Sequence, residues 1–159
     1  MKRFVLLLLL LATTTVVAIG LGQTTTSKGK QILVILNQQK LFAIENGQPF
    51  YEFHCSTGRR GMTTPTGLTK VRAKLRYNRA LPEYGGGAIP YTLRIHSFDP
   101  KTKKIRRINI HAYDSVPSYP ASHGCIRLSK KDAAKLFGWA EVGIPVAIIT
   151  GPLTSKKKS

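Results

Sequence analysis

The chain has 159 residues, 42% of them hydrophobic, and 25 Lys and Arg against 7 Asp and Glu give a formal charge of +18. That apolar content excludes a disordered chain, and the length suits one domain with a core of its own. The charge biases partners toward polyanions, but the basic residues are dispersed and no DNA- or RNA-binding motif accompanies them, which argues against nucleic acid. A solvated basic surface, or attraction to anionic wall polymers or a membrane surface, remains.

Met1-Lys2-Arg3 precedes an uncharged run that starts at Phe4 and stays mostly apolar or Thr through Gly22. A positive start, an apolar centre and small residues at Ala18 and Gly20 predict a signal peptide over 1–22, or an N-terminal membrane anchor, since the run is nearly long enough to cross a bilayer. Either way the domain is expected outside the cytoplasm, in the periplasm or cell envelope. Residues 23–30 read as a linker, 31–150 as one domain and 151–159, with three consecutive lysines, as a basic tail.

Within the domain, strands come first. Residues 31–36 are apolar and β-branched, 37–39 turn the chain, and 40–44 return. Asn46-Gly47 is a hairpin signal, because both turn positions accept positive φ. Residues 49–56 continue as a strand, with Tyr51, Phe53 and Cys55 in phase. Over 68–75, Lys70, Arg72 and Lys74 alternate with Thr69, Val71, Ala73 and Leu75, which predicts one wet, basic face. Residues 76–88, with Pro82 and Gly85-Gly86-Gly87, read as a lid-like loop. Strands follow over 89–98, with Tyr91, Leu93 and Ile95 in phase, and over 104–111. A loop over 112–121 leads into Ser122-His123-Gly124-Cys125. Ser129 and Asp132 predict the start of one helix, whose apolar face is Ala133, Leu136, Phe137 and Ala140 and which Gly143 can end. Residues 144–150 make a last buried strand. The fold class is mainly β with one packed helix near the C-terminus.

The chemistry concentrates at residues 121–128. Cysteine attacks as its thiolate, and nearby cations lower the cost of that charge. Cys125 lies two residues from His123 and two from Arg127. Gly124 lacks a Cβ, which predicts room for a substrate carbonyl beside backbone amides suited to an oxyanion. His111 ends a strand and can meet Cys125 across a neighbouring one. Spacing alone leaves both His111 and His123 open as the base. His96 and His54 read as structural. A Cys55–Cys125 disulfide competes with the catalytic reading, because a bridged sulfur cannot attack. A metal site is disfavoured, since no usual zinc spacing occurs. Ser122 is a poor nucleophile candidate, lacking a Gly-x-Ser-x-Gly surround.

Ser122-His123-Gly124-Cys125-Ile126-Arg127-Leu128, with Ile110-His111 upstream, resembles the signature of the YkuD-type L,D-transpeptidases, cysteine-dependent enzymes of the bacterial cell wall. The likeness extends to the hairpin at 32–44, to Ser56-Thr57-Gly58 with Thr64-Pro65-Thr66-Gly67, and to Ile89-Pro90-Tyr91. It implies a β-sandwich or barrel, Cys125 as nucleophile, His111 as proton acceptor and donor, an oxyanion hole of amides near Gly124 and Cys125, and Ser122, His123 and Arg127 shaping the site. The implied reaction cleaves the L,D amide of a peptidoglycan tetrapeptide stem. D-Ala leaves, a thioester forms, and an amine on another stem or a lipoprotein, or water, resolves it. No metal or organic cofactor is implied, and a monomer is expected. Two departures stand out: Ala112 follows the histidine where the family has Gly, and the 111–122 loop is short. The rival functions are an L,D-carboxypeptidase with the same Cys–His site and a non-enzymatic basic wall-binding module.

Overall fold

The computed structural model describes residues 29–99 and 103–151. The expected leader, the linker up to residue 28 and the tail from residue 152 lie outside the described residues. Among these residues, eight strands and one α-helix follow in chain order: β1 Lys30–Ile35, β2 Lys40–Glu45, β3 Gln48–His54, β4 Gly67–Leu75, β5 Thr92–Asp99, β6 Lys104–Ala112, β7 Ile126–Leu128, α1 Lys130–Trp139 and β8 Pro145–Ile149. They form a single sheet in the order β3-β2-β1-β8-β4-β5-β6-β7. The mainly β class and the lone helix near the C-terminus agree with the sequence reading.

Alternation along the strands decides which face is core. Leu93 and Ile95 of β5, with Ile108 and Ile110 of β6, are fully buried on one face. Cross-strand partners share a face, so Arg94 opposite Asn109, and His96 opposite Arg107, lie on the other. On β4 the expected split holds at Lys70, Val71 and Arg72 but breaks at a bulge between Val71 and Ala73, after which the half-buried Lys74 pairs with Leu93 and its Nζ donates to Ala140 O at 2.5 Å. Helix α1 buries Ala133, Leu136 and Trp139 against the sheet. Its first turn is capped by Ser129, whose Oγ accepts the Asp132 N–H at 3.1 Å and donates to Asp132 Oδ2 at 2.7 Å.

Three local details differ from the sequence reading. Tyr91 has a φ of 52°, so it is a kink before β5 rather than an in-phase strand residue. The helix ends at Trp139 with Ala140 extended, and Gly143, at φ 98°, turns the chain into β8 instead. Residues 76–91 fold back on themselves: Arg79 bridges Ala88, and a short 3₁₀ turn spans Pro82–Tyr84. Asn46 and Gly47 both take the positive φ that the hairpin requires.

The two edges of the sheet meet just beyond β3. Ser56 N–H donates to Arg127 O at 3.0 Å, and Arg127 N–H returns to Ser56 O at 2.9 Å. The sheet therefore nearly closes, and the residues after β3 press against the start of β7. The buried Gln39 secures this corner. Its backbone O accepts the Cys55 N–H at 2.8 Å. Its side-chain Oε1 accepts the Thr57 N–H at 2.8 Å, and its Nε2 donates to Thr57 Oγ1 at 2.9 Å. Gln39→Ala strands a buried N–H, so it is expected to destabilise the fold by about 1–3 kcal/mol, read as a lower urea midpoint at unchanged slope.

Candidate active site

Cys125 immediately precedes β7, which runs parallel to β6 with Ile110 beside Ile126 and His111 beside Arg127. One step back along that register, Cys125 falls level with Asn109, whose backbone hydrogen-bonds the sulfur. Cys125 and Arg127 are two apart and share a face, as do Asn109 and His111. All four line one cavity of about 450 Å³, together with Ser122 and His123. The candidate site residues are thus brought together, except that Gly124 is not among those lining the cavity.

The loop that carries them is fixed by backbone. Thr57 O accepts both the Ala121 and Ser122 N–H groups at 2.9 Å, and Ser122 O accepts the Arg59 N–H at 3.0 Å. Ser122 is buried; its Oγ donates to Cys125 O at 2.5 Å and accepts the Gly124 N–H at 3.0 Å. Thr64 Oγ1 links Gly58 N–H to Gly124 O, each contact at 2.9 Å. Gly124 has a φ of +117°, and a Cβ there would lie 2.7 Å from Arg106 Nη2. A side chain at this position would thus meet the guanidinium. Arg106 holds the turn by donating to His123 O at 3.2 Å and to Thr63 O at 3.1 Å.

His111 is nearly buried, with an accessibility of 4%. Its Nδ1 lies 2.8 Å from Ala112 O. A carbonyl only accepts, so Nδ1 carries the proton and Nε2 keeps its lone pair. Ala112 performs this with its backbone, while its methyl enters the core. Burial pushes the His111 pKa down to about 4, against the help of the Ala112 carbonyl, and the nearby Arg127 charge pushes the same way. Burial also raises the Cys125 thiol above its ordinary value, although the Asn109 backbone, Arg127 and Arg106 all pull it down. Desolvation outweighs the cations, and the resting pair is a neutral thiol beside a neutral imidazole.

Aromatic side chains close the site. Tyr84, from the folded-back loop, stacks on His123 with ring centroids 5.1 Å apart. Arg127 lies over Tyr113 at 4.0 Å, and Tyr113 meets His111 edge-on at 6.0 Å. Both cysteines are free. Cys55 is core, its thiol pushed up to about 12 by burial, so it neither bridges Cys125 nor competes with it. His54 is at the surface beside Val116 O and Pro117 O, and His96 faces a separate groove. Among the described residues no group of three or more His, Cys, Asp or Glu could hold a metal ion. The sequence reading missed Tyr84 and Tyr113, and also Arg94, Arg107 and Asn109, which line the same cavity. The signal for Arg94, Arg107 and Asn109 was present in the alternation of β5 and β6, which places polar residues on the face of His111.

A model of the YkuD L,D-transpeptidase catalytic domain matches residues 13–148. The chain belongs to this family. Among solved structures, an L,D-transpeptidase from Xylanimonas cellulosilytica aligns at a TM-score of 0.59 and 25% identity, covering 78% of this chain and 62% of that one. A Cys-to-Ser mutant of the Enterococcus faecium L,D-transpeptidase aligns at 0.63 and 25%, covering 77% and 50%. L,D-transpeptidase 3 from Mycobacterium tuberculosis, solved with a faropenem-derived adduct, aligns at 0.63 and 21%, covering 76% and 60%. The chain thus spans between half and 62% of the length of these three structures. Comparison with curated protein sequences gives no match.

The buried imidazole has a consequence for stability. The unfolded chain takes up a proton near pH 6.5, whereas folded His111 resists it down to about 4. Its contribution is complete above pH 6.5 and is lost as the pH falls toward 4, on the order of 3 kcal/mol in total. Urea unfolding at pH 7 and pH 4.5 is expected to show a smaller loss of stability in His111→Gln than in the wild type.

Proposed function

We propose that this chain is an exported cysteine L,D-transpeptidase acting on peptidoglycan stem peptides, with Cys125 as nucleophile and His111 as its base. The observation that carries the reading is the shared cavity: the only thiol that reaches it is beside an imidazole whose Nδ1 is committed to a carbonyl. Membership of the family and the adduct in the mycobacterial relative support it.

Attack begins from the neutral pair. The Cys125 thiol passes its proton to His111 Nε2 as the sulfur bonds to the carbonyl carbon on the L side of the scissile amide. Arg127 and Arg106 stabilise the sulfur's developing negative charge. The Cys125 N–H serves the oxyanion, since the Gly124 N–H is held by Ser122. His111 then gives its proton to the departing nitrogen, the C–N bond breaks, and D-Ala leaves a thioester on Cys125. An acceptor amine attacks the thioester, loses a proton to His111, and the sulfur recovers that proton as it departs. Arg127 suits both halves, because it favours the thiolate and disfavours a lasting imidazolium.

Cys125→Ala is expected to lower D-Ala release from tetrapeptide stems by at least about a thousandfold while the melting curve is kept; release at the wild-type rate would refute the mechanism. Product analysis assigns the acceptor: a cross-linked dimer marks transfer, a free tripeptide hydrolysis. Wall binding that is salt-sensitive and accompanied by no D-Ala release would mark a non-enzymatic module instead.

A further inference from the structure

The outer face of β4, β5 and β6 changes character along its length. At one end Arg94, Arg107 and Asn109 line the catalytic cavity. Beyond them lies a separate groove, whose lining includes Leu68, Lys70, Arg72, His96, Phe98 and Ile105. Alternation predicts polar residues here, since Val71, Ile95 and Ile108 of the opposite face are the core. Instead Leu68 is 88% exposed, Ile105 72% and Phe98 56%. Phe98 and Ile105 are direct cross-strand partners, and Leu68 lines the same groove, so the apolar residues form one patch and not a scatter of single side chains.

The rim of the patch is cationic. Lys70 and Arg72 are exposed on β4, Lys103 and Lys104 are exposed where β6 begins, and Arg107 stands opposite His96. Among the described residues no Asp or Glu lines the groove, and the ion pairs Lys30–Glu141 and Lys40–Glu52 engage none of these cations. Exposed apolar side chains ringed by lysine and arginine fit an anionic bilayer. The apolar groups enter the headgroup layer, and the long basic side chains reach lipid phosphates. A second copy of this chain would bring the same cations, and each copy carries +18, so self-association on this face is repulsive. An anionic wall polymer would satisfy the cations and leave the apolar residues in water.

The place where the chain enters the domain agrees. Ile32 pairs with Val146, which sets Gln31 level with Pro145, and Pro145 pairs with Lys70. The first strand therefore starts two strand spacings from Lys70, about 10 Å. Six residues, 23–28, separate Gly22, where the mostly apolar run ends, from the first described residue, a reach of about 25 Å when fully extended. An apolar leader kept in a bilayer would hold this face within range of it.

We propose that Leu68, Phe98 and Ile105, with Lys70, Arg72 and Lys104 around them, dock on the surface of an anionic phospholipid bilayer. Phe98 lies four residues along β5 from Arg94, about 13 Å, so docking holds the catalytic cavity close to the headgroups. The docking is independent of the chemistry at Cys125.

Tryptophan fluorescence of the full chain tests this. Trp139, the single native tryptophan, is buried beside Phe50 and Glu45, and the wild-type chain supplies its baseline. Phe98→Trp adds a reporter within the patch; Ile105→Trp is a second, used should the first lose its cooperative melt. Each is mixed with vesicles of phosphatidylcholine alone, or with about one-third phosphatidylglycerol, both carrying brominated acyl chains that quench on contact. The leader meets both vesicles, so the signal added over wild type reads the patch. On the anionic vesicles the added emission is expected to fall by at least about twofold, and on the neutral ones by less than half as much. Lys70→Gln with Arg72→Gln, or salt raised to about 0.5 M, is expected to remove most of that quenching. Leu68→Ser beside the reporter is expected to weaken it, while D-Ala release from soluble stems stays within about twofold of wild type. No added quenching on either vesicle, or equal quenching on both, would overturn the proposal. So would a blue shift that grows with protein concentration without lipid, which assigns the face to a second copy. A blue shift with poly(glycerol phosphate) but no quenching on vesicles would overturn it in favour of a wall polymer.

Discussion

The paired backbone hydrogen bonds between Ser56 and Arg127 are what the site depends on. β3 and β7 are the two ends of one long sheet, and an open sheet would leave both with unpaired edges. The bridge joins them and sets Ser56-Thr57-Gly58 against the turn that carries Cys125. From there Thr57 O takes two amides of that turn, and Thr64 takes its carbonyl through Gly124. Gly58 is a glycine because the approach is that close: a Cβ would stand 2.1 Å from Met62 O and 2.9 Å from Gly124 Cα. The position of the sulfur is therefore set by backbone contacts from both ends of the sheet, with few side chains to vary.

Within that frame, burial and charge work against each other. Desolvation keeps the thiol protonated and the imidazole neutral, and it outweighs the arginines that favour the thiolate. The outcome is a resting thiol that keeps its proton. A stable thiolate–imidazolium pair would need more water or a carboxylate beside His111. The structure offers only the Ala112 carbonyl, which sets the tautomer and adds no charge.

The same alternation that built the core also built the cavity lining. Ile108 and Ile110 point one way, and Arg107, Asn109 and His111 the other. The apolar positions were legible as a strand at once. The polar ones carried no reading of their own, because a strand pattern does not reveal whether a loop will fold over it. Tyr84 and the turn at Pro82–Tyr84 make that cover, and nothing local in residues 76–91 announces the stack on His123. At Gly124 the missing Cβ was evident, but not that a guanidinium from β6 stands where it would lie.

By itself, the amino-acid sequence determined the mainly β class, the hairpin at Asn46-Gly47, the capped helix and the stretch that sets Cys125 among His123, Gly124 and Arg127. These follow from local rules: side-chain periodicity, turn geometry and a short motif. Only the tertiary structure decided that Cys55 is inert core, that the two cysteines stay apart, that the pair rests neutral, and that five arginines and an orphaned Asn109 share its cavity. Desolvation and unmet hydrogen bonds are properties of where distant segments come to rest, and no window along the chain contains them.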